Sequence, residues 1–190
     1  MDPAQRRLST EEEYLEQERA SEIKHEFVNG EVYAMAGATI EHNLIASNVT
    51  GALKNALRAA GRRCVVLGSD QRLHIPATGM YTYADVTVVC GKAQLVGPAP
   101  RSLLNPLVIV EVLSESTQDD DHGPKFAHYR SIPSLKEVLF VAQTARRIEL
   151  YQRLDTGQWL LTELVDGSAK LSALGCELSL AEVYADLDLL

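Results

Sequence analysis

The sequence predicts an α/β fold, a mixed β-sheet flanked by helices, with an N-terminal helix and β-hairpin ahead of it. Two stretches, 85–90 and 106–114, are apolar and rich in β-branched residues and have the length of strands. Between 39 and 60, Ile40, Leu44, Ile45, Val49, Leu53 and Leu57 recur at three- and four-residue steps, which is the period of a helix with one apolar face. At 190 residues, with 46% hydrophobic and 6% aromatic side chains, the chain suits one α/β domain with a full core. A single domain over 1–190 is expected, with an N-terminal helix and hairpin at 9–36, a core at 40–142 and C-terminal strands and helix at 147–187.

The elements follow from local signals. Thr10 can cap a helix running to about Ala20, and Glu13 can close a capping box with it. Asn29-Gly30, between the runs 23–28 and 31–35, is a hairpin turn because both positions tolerate positive φ. Gly61 stops the long helix. Strands are expected at Cys64–Leu67, Gln71–Ile75, Asp85–Cys90 and Leu107–Leu113, with a turn at 76–79 and a Gly/Pro-bearing loop at 91–105. Pro124 offers a first-turn position for a helix carrying Lys125, Phe126 and Tyr129, with Lys125 and Tyr129 on one face. Further strands are expected at 138–142, 147–153 and 159–163, the last pair turned by Asp155-Thr156-Gly157, before a short closing helix at Leu180–Leu187.

Composition narrows the function. A formal net charge of −8 argues against a protein that coats nucleic acid by long-range attraction, though a local basic groove is compatible with it. Cys64, Cys90 and Cys176 lack C-x-x-C spacing, and the first two lie in apolar stretches, so reduced core thiols and a cytoplasmic location are expected. The N-terminus has no apolar signal region and no window reaches membrane-spanning length, so no membrane partner is expected.

Two residues break the apolar pattern. Glu111 sits inside Pro-Leu-Val-Ile-Val-Glu-Val-Leu-Ser (106–114), where a carboxylate costs several kcal/mol unless a cation or strong donors hold it, by order of magnitude about 3–5. Asp85 opens the other run. Two acids on neighbouring core strands are what a divalent metal of the magnesium type requires. The acid run Asp119–Asp121 with His122 reads instead as a solvated loop, with Asp121 available as a helix cap.

The hairpin Phe-Val-Asn-Gly-Glu-Val-Tyr (27–33), the strand of Asp85, Asn-Pro-Leu-Val-Ile-Val-Glu-Val-Leu-Ser-Glu-Ser-Thr (105–117), Lys125-Phe126-x-x-Tyr129 and Pro133-Ser134-Leu135-Lys136-Glu137 stand in one order. Together they resemble the Uma-type family of restriction endonucleases within the PD-(D/E)XK nuclease superfamily. The resemblance covers most of the chain and implies a restriction-endonuclease-like core. It matches Asp85 to the first acid and Glu111 to the second, both metal ligands, with Mg²⁺ or Mn²⁺ as cofactor. The superfamily places its lysine two positions after the second acid, where this chain has Leu113; the family takes it from the following helix, where Lys125 matches. Other departures are Ala84 in place of proline, Glu115 after Ser114, and Gly123-Pro124 just before Lys125.

On this basis the chain is expected to be a metal-dependent endonuclease acting on nucleic acid, most readily DNA. Asp85, Glu111 and the Val112 carbonyl would hold the metal, with Lys125 beside the attacking water. His42, preceded by Glu41, is a candidate supplementary ligand, against a capping or hydrogen-bonded role. A catalytically degenerate module that binds nucleic acid or protein is the alternative, suggested by the missing strand lysine and the acidic charge. A hydrolase of small phosphoesters is a third. Cutting both strands of a duplex calls for two sites and hence a homodimer, with the N-terminal helix and hairpin as the available surface.

Overall fold

The computed structural model describes residues 8–113 and 121–190, with the backbone alone for Asp121 and His122. The acid run that begins at Asp119, the side chains of Asp121 and His122, and Glu115 therefore lie outside what is described. Helix α1 (Glu11–Ala20) starts on the expected capping box, with Thr10 and Glu13 reciprocally bonded. Strands β1 (His25–Val28) and β2 (Glu31–Ala34) turn at Asn29 and Gly30, whose φ values are 53° and 84°. A side chain at Gly30 would meet both that left-handed backbone and the Leu8 side chain, 3.0 Å from the position of its Cβ. Helix α2 (Ile40–Ala59) is capped by Thr39 and ends before Gly61, at φ 64°.

Two six-stranded mixed sheets follow. The first joins β1 and β2 to β4 (Arg72–Ile75), β5 (Met80–Tyr83), β7 (Leu95–Val96) and β8 (Ser102–Leu103), in the order β2-β1-β5-β4-β8-β7. The second contains β3 (Cys64–Gly68), β6 (Val86–Cys90), β9 (Val108–Leu113), β10 (Glu137–Ala142), β11 (Ile148–Arg153) and β12 (Trp159–Leu164), in the order β12-β11-β10-β9-β6-β3. β9 and β10 are parallel, and both are buried along their whole length because the second sheet is covered on both faces.

Alternation along the strands sorts the side chains into two cores. Val86, Val88, Val108, Val110 and Val112 pack with Ile45, Val49, Leu53 and Leu57 of α2, and with the small sheet of β13 (Ser168–Leu171) and β14 (Cys176–Ser179). Val89, Ile109 and Leu113 face the other way, toward Leu73, Ile75, Met80 and Leu103 of the first sheet. The first sheet's outer face carries Phe27 and Tyr81 against Tyr14 of α1.

Several expectations are corrected. The 91–105 segment holds β7 and β8, and β5 and the β13–β14 hairpin were not anticipated. β7 and β8 have two residues each, too short to show a period; they pair with each other, and β8 joins the sheet through the distant β4. Pro124 does not open the helix. It lies inside a π-helical turn (Asp121–Lys125), and α3 is only Phe126–Tyr129. The closing helix α4 stops at Val183 (Leu180–Val183), and a 3₁₀ turn covers Leu187–Leu189.

Cys64 and Cys90 are not free thiols but a disulfide. The β3–β6 register sets them directly opposite, with Cα atoms 4.1 Å apart, a pairing that spacing in the chain does not reveal. Cys176 is the free cysteine among the described residues, so the thiol argument for a cytoplasmic location loses two of its three members. No helix among the described residues is long and apolar enough to cross a membrane.

Candidate active site

Glu111 lies on β9 with the parity of Ile109 and Leu113, so its carboxylate points into the layer between the two sheets. It is 6% exposed. The β6–β9 ladder pairs Val86 with Val110, and continuing it by one residue sets Asp85 opposite Glu111 at the end of β6. Glu111 is thus on a strand as expected, whereas Asp85 stands one residue before β6 rather than in it. Asp85 Oδ2 accepts from the Val112 N–H at 2.7 Å, so the strand end and the neighbouring backbone fix each other.

The π-helical turn and α3 that follows it supply the next two groups, Lys125 and Tyr129. Tyr129 donates from its hydroxyl to Glu111 Oε1, and Lys125 Nζ lies 3.6 Å from the same oxygen. Their placement on one helical face, legible in the spacing, thus converges on one carboxylate. So short a helix owes little to propensity. Phe126 pins it: its ring meets Phe140 and Trp159 edge to face and Tyr151 at a tilt, and the Arg130 guanidinium lies over the Phe126 ring.

Lys125 has a nearer acidic partner that sequence reasoning missed. Its ammonium is 3.0 Å from Glu26 Oε1 on β1. The hairpin is thus not a separate surface ahead of the core, as the sequence had suggested, but part of the wall facing Glu111. The available signal was alternation: Phe27 faces α1, so Glu26 must face the opposite side.

His42 stands at the start of α2 with Nε2 3.3 Å from Asp85 Oδ2. Its proton affinity is raised, first by the hydrogen bond to Asp85, against the opposing effect of burial, with Glu111 and the Val112 backbone acting in the same upward direction. Nδ1 is buried without a partner among the described residues. Glu41 instead has its carboxyl held low by hydrogen bonds to its own backbone and to Thr39, at the helix start.

Burial is the largest influence on Glu111 and pushes its carboxyl up to about 7; Lys125 and the Tyr129 hydroxyl oppose this, while Asp85 and Glu26 add to it. A raised folded-state value means that the unfolded chain releases this proton more readily. Metal-free stability should therefore fall as pH rises from the ordinary carboxylate range to about 7, then level off. Glu111→Gln removes the ionisation while keeping an acceptor for Tyr129. In chelator its melting temperature is expected to exceed that of the wild type by more at about pH 8 than at about pH 5. A difference independent of pH in thermal melts would contradict this.

The donor set can be tested against a divalent cation. Asp85, Glu111 and the Val112 carbonyl are hard oxygen donors of the kind Mg²⁺ and Mn²⁺ take. Among the described residues no three His, Cys, Asp or Glu side chains form a ready metal cage. A cation here would thus rely on two carboxylates and complete its shell with water, which Mg²⁺ does readily.

Comparison with known proteins places the chain in a family. A family model, Uma2, described as "Putative restriction endonuclease", matches residues 11–182. Two proteins of Synechocystis sp. (strain ATCC 27184 / PCC 6803 / Kazusa) are similar along nearly their whole length. One, sll1609, is 36% identical over 165 residues, covering 87% of this chain and 92% of the relative. The other, slr1290, is 33% identical over 177 residues, covering 93% and 91%. The fold is similar to a crystal structure from Anabaena variabilis ATCC 29413, described as "a putative nuclease belonging to DUF820", with TM-score 0.73, 13% identity and coverage of 93% of this chain and 97% of that one. The match over 11–182, with the two relatives beside it, shows that this chain belongs to the Uma2 family of restriction-endonuclease-type nucleases.

Proposed function

We propose that the protein is a metal-dependent endonuclease that hydrolyses phosphodiester bonds of nucleic acid, with DNA as its substrate. The observation that carries this reading is the buried Glu111 carboxylate, set opposite Asp85 with the Lys125 ammonium 3.6 Å from Oε1. Asp85 and Glu111 would hold the cation, with the Val112 carbonyl beside them. The recorded contacts fall on Oδ2 of Asp85 and Oε1 of Glu111, so their other oxygens are the natural ligand atoms. When bound, the metal supplies Lewis-acid charge at the phosphate and lowers the proton affinity of water.

The remaining groups act around that pair. Lys125 orients the attacking water and offsets the negative charge that grows on it. Tyr129 holds Glu111 in one rotamer through its hydroxyl, and His42 with the Val112 N–H does the same for Asp85. The missing strand lysine had favoured a binding-only module. Lys125 provides a cation near the same carboxylate from the turn just before α3, which favours cleavage. The reading includes one nuclease domain over 1–190, action in the cytoplasm, and a homodimer, because a double-strand break needs two such sites related by the symmetry of the duplex.

The test is incubation of purified protein with supercoiled plasmid, single-stranded DNA and RNA in Mg²⁺ or Mn²⁺, with chelator and Glu111→Gln as controls. Cleavage of DNA that disappears in chelator and in Glu111→Gln is the expected result. Failure to cut any of these substrates with either metal would reject the proposal.

A further inference from the structure

We propose that Glu26 is a positioning residue that anchors the Lys125 ammonium beside Glu111; this rests on the nuclease site proposed above. The closer acidic partner of Lys125 is Glu26, at 3.0 Å against 3.6 Å for Glu111. All three side chains are largely buried, so the contact is shielded from the screening that makes surface pairs weak.

Glu26 is itself held. The β1–β5 ladder pairs Phe27 with Tyr81, and its continuation sets Glu26 opposite Thr82, whose hydroxyl donates to Glu26 Oε1. Thr82 is fully buried in β5, so the acceptor of the lysine is tied to the interior of the first sheet. The outward neighbours His25 and Phe27 pack on the α1 side. The same alternation that buries them directs Glu26 toward β9.

The need for an anchor follows from where the lysine comes from. On β9, at the position of Leu113, the pleat itself would aim a lysine along the face of Glu111. From the π-helical turn before α3, a flexible four-carbon stem must cross to the site. A fixed carboxylate on the opposite sheet selects the rotamers that bring the ammonium to Glu111. The N-terminal hairpin thereby acquires a role in the chemistry, with β1 serving as the far wall of the site.

The experiment compares the full-length wild type with Glu26→Gln, Glu26→Asp, Lys125→Ala and the Glu26→Gln/Lys125→Ala pair. Glu26→Gln keeps an acceptor for Thr82 and removes the charge. In metal-free protein labelled with ¹⁵N-lysine, the Lys125 ammonium signal, assigned by its loss in Lys125→Ala, should be motionally restricted and become mobile in Glu26→Gln. In cleavage of a DNA oligonucleotide, Glu26→Gln should lower kcat roughly 10- to 100-fold, with KM and the Mg²⁺ dependence unchanged. Adding it to Lys125→Ala should cause no further loss, and Glu26→Asp should recover part of the rate. An ammonium equally restricted in Glu26→Gln, or additive losses in the double variant, would overturn the proposal. A Glu26→Gln defect rescued by raised Mg²⁺ would also overturn it, making Glu26 a metal ligand. Should the wild type cut nothing, the nuclease reading fails, and the ammonium dynamics still decide whether Glu26 anchors Lys125.

Discussion

Lys125→Ala is expected to lower the turnover of DNA cleavage by about 10²–10³-fold, the usual cost of removing one preorganised electrostatic group from a transition state. Affinity for DNA and for the divalent metal should change little, because the ammonium acts on charge that develops during attack rather than on bound substrate. Lys125→Arg should restore only part of the rate, since the planar guanidinium keeps the charge and loses the compact point geometry beside Glu111. Leu113→Lys in the Lys125→Ala background would place a lysine on the same face of β9 as Glu111. Leu113 is buried among Ile109, Tyr129 and Ile132, so that rescue should come with a lower melting temperature. Single-turnover rates of Lys125→Ala equal to those of the wild type would remove Lys125 from the chemistry.

Asp85 should show two separable losses. Asp85→Ala removes a proposed metal ligand and also the acceptor of the Val112 N–H and the partner of His42. Cleavage is expected to be undetectable, with a stability loss of about 1–3 kcal/mol for the backbone donor left without an acceptor. Asp85→Asn keeps an oxygen for Val112 and loses the charge, so it should be equally inactive yet close to wild-type stability. Denaturant melts combined with metal-activated cleavage distinguish the two. Equal destabilisation by Asn and Ala would show that the carboxylate charge, not the hydrogen bond, stabilises the end of β6.

The elements legible in the sequence are those whose cause is local. The capping box of Thr10 and Glu13, the Asn29-Gly30 turn and the apolar stripe of α2 each depend on residues within a few positions of one another, and each folds as its local chemistry dictates. Glu111 stood out because a charge inside an apolar strand is costly wherever the strand ends up, Asp85 because it opens a second apolar run, and Lys125 with Tyr129 because helical spacing sets them on one face.

Tertiary structure decided what depends on register between distant strands. The β3–β6 ladder brings Cys64 to Cys90, and pairing of 102–103 with the distant β4 carries the short β7–β8 pair into the first sheet. The same holds for the site. Glu26 looks like an ordinary polar position in a hairpin until the first sheet packs over the second, and only then does the face opposite Phe27 meet Lys125. A sequence specifies such a contact through the sum of its packing preferences, with no single residue pattern that announces it, because the two side chains belong to different sheets and share no local period.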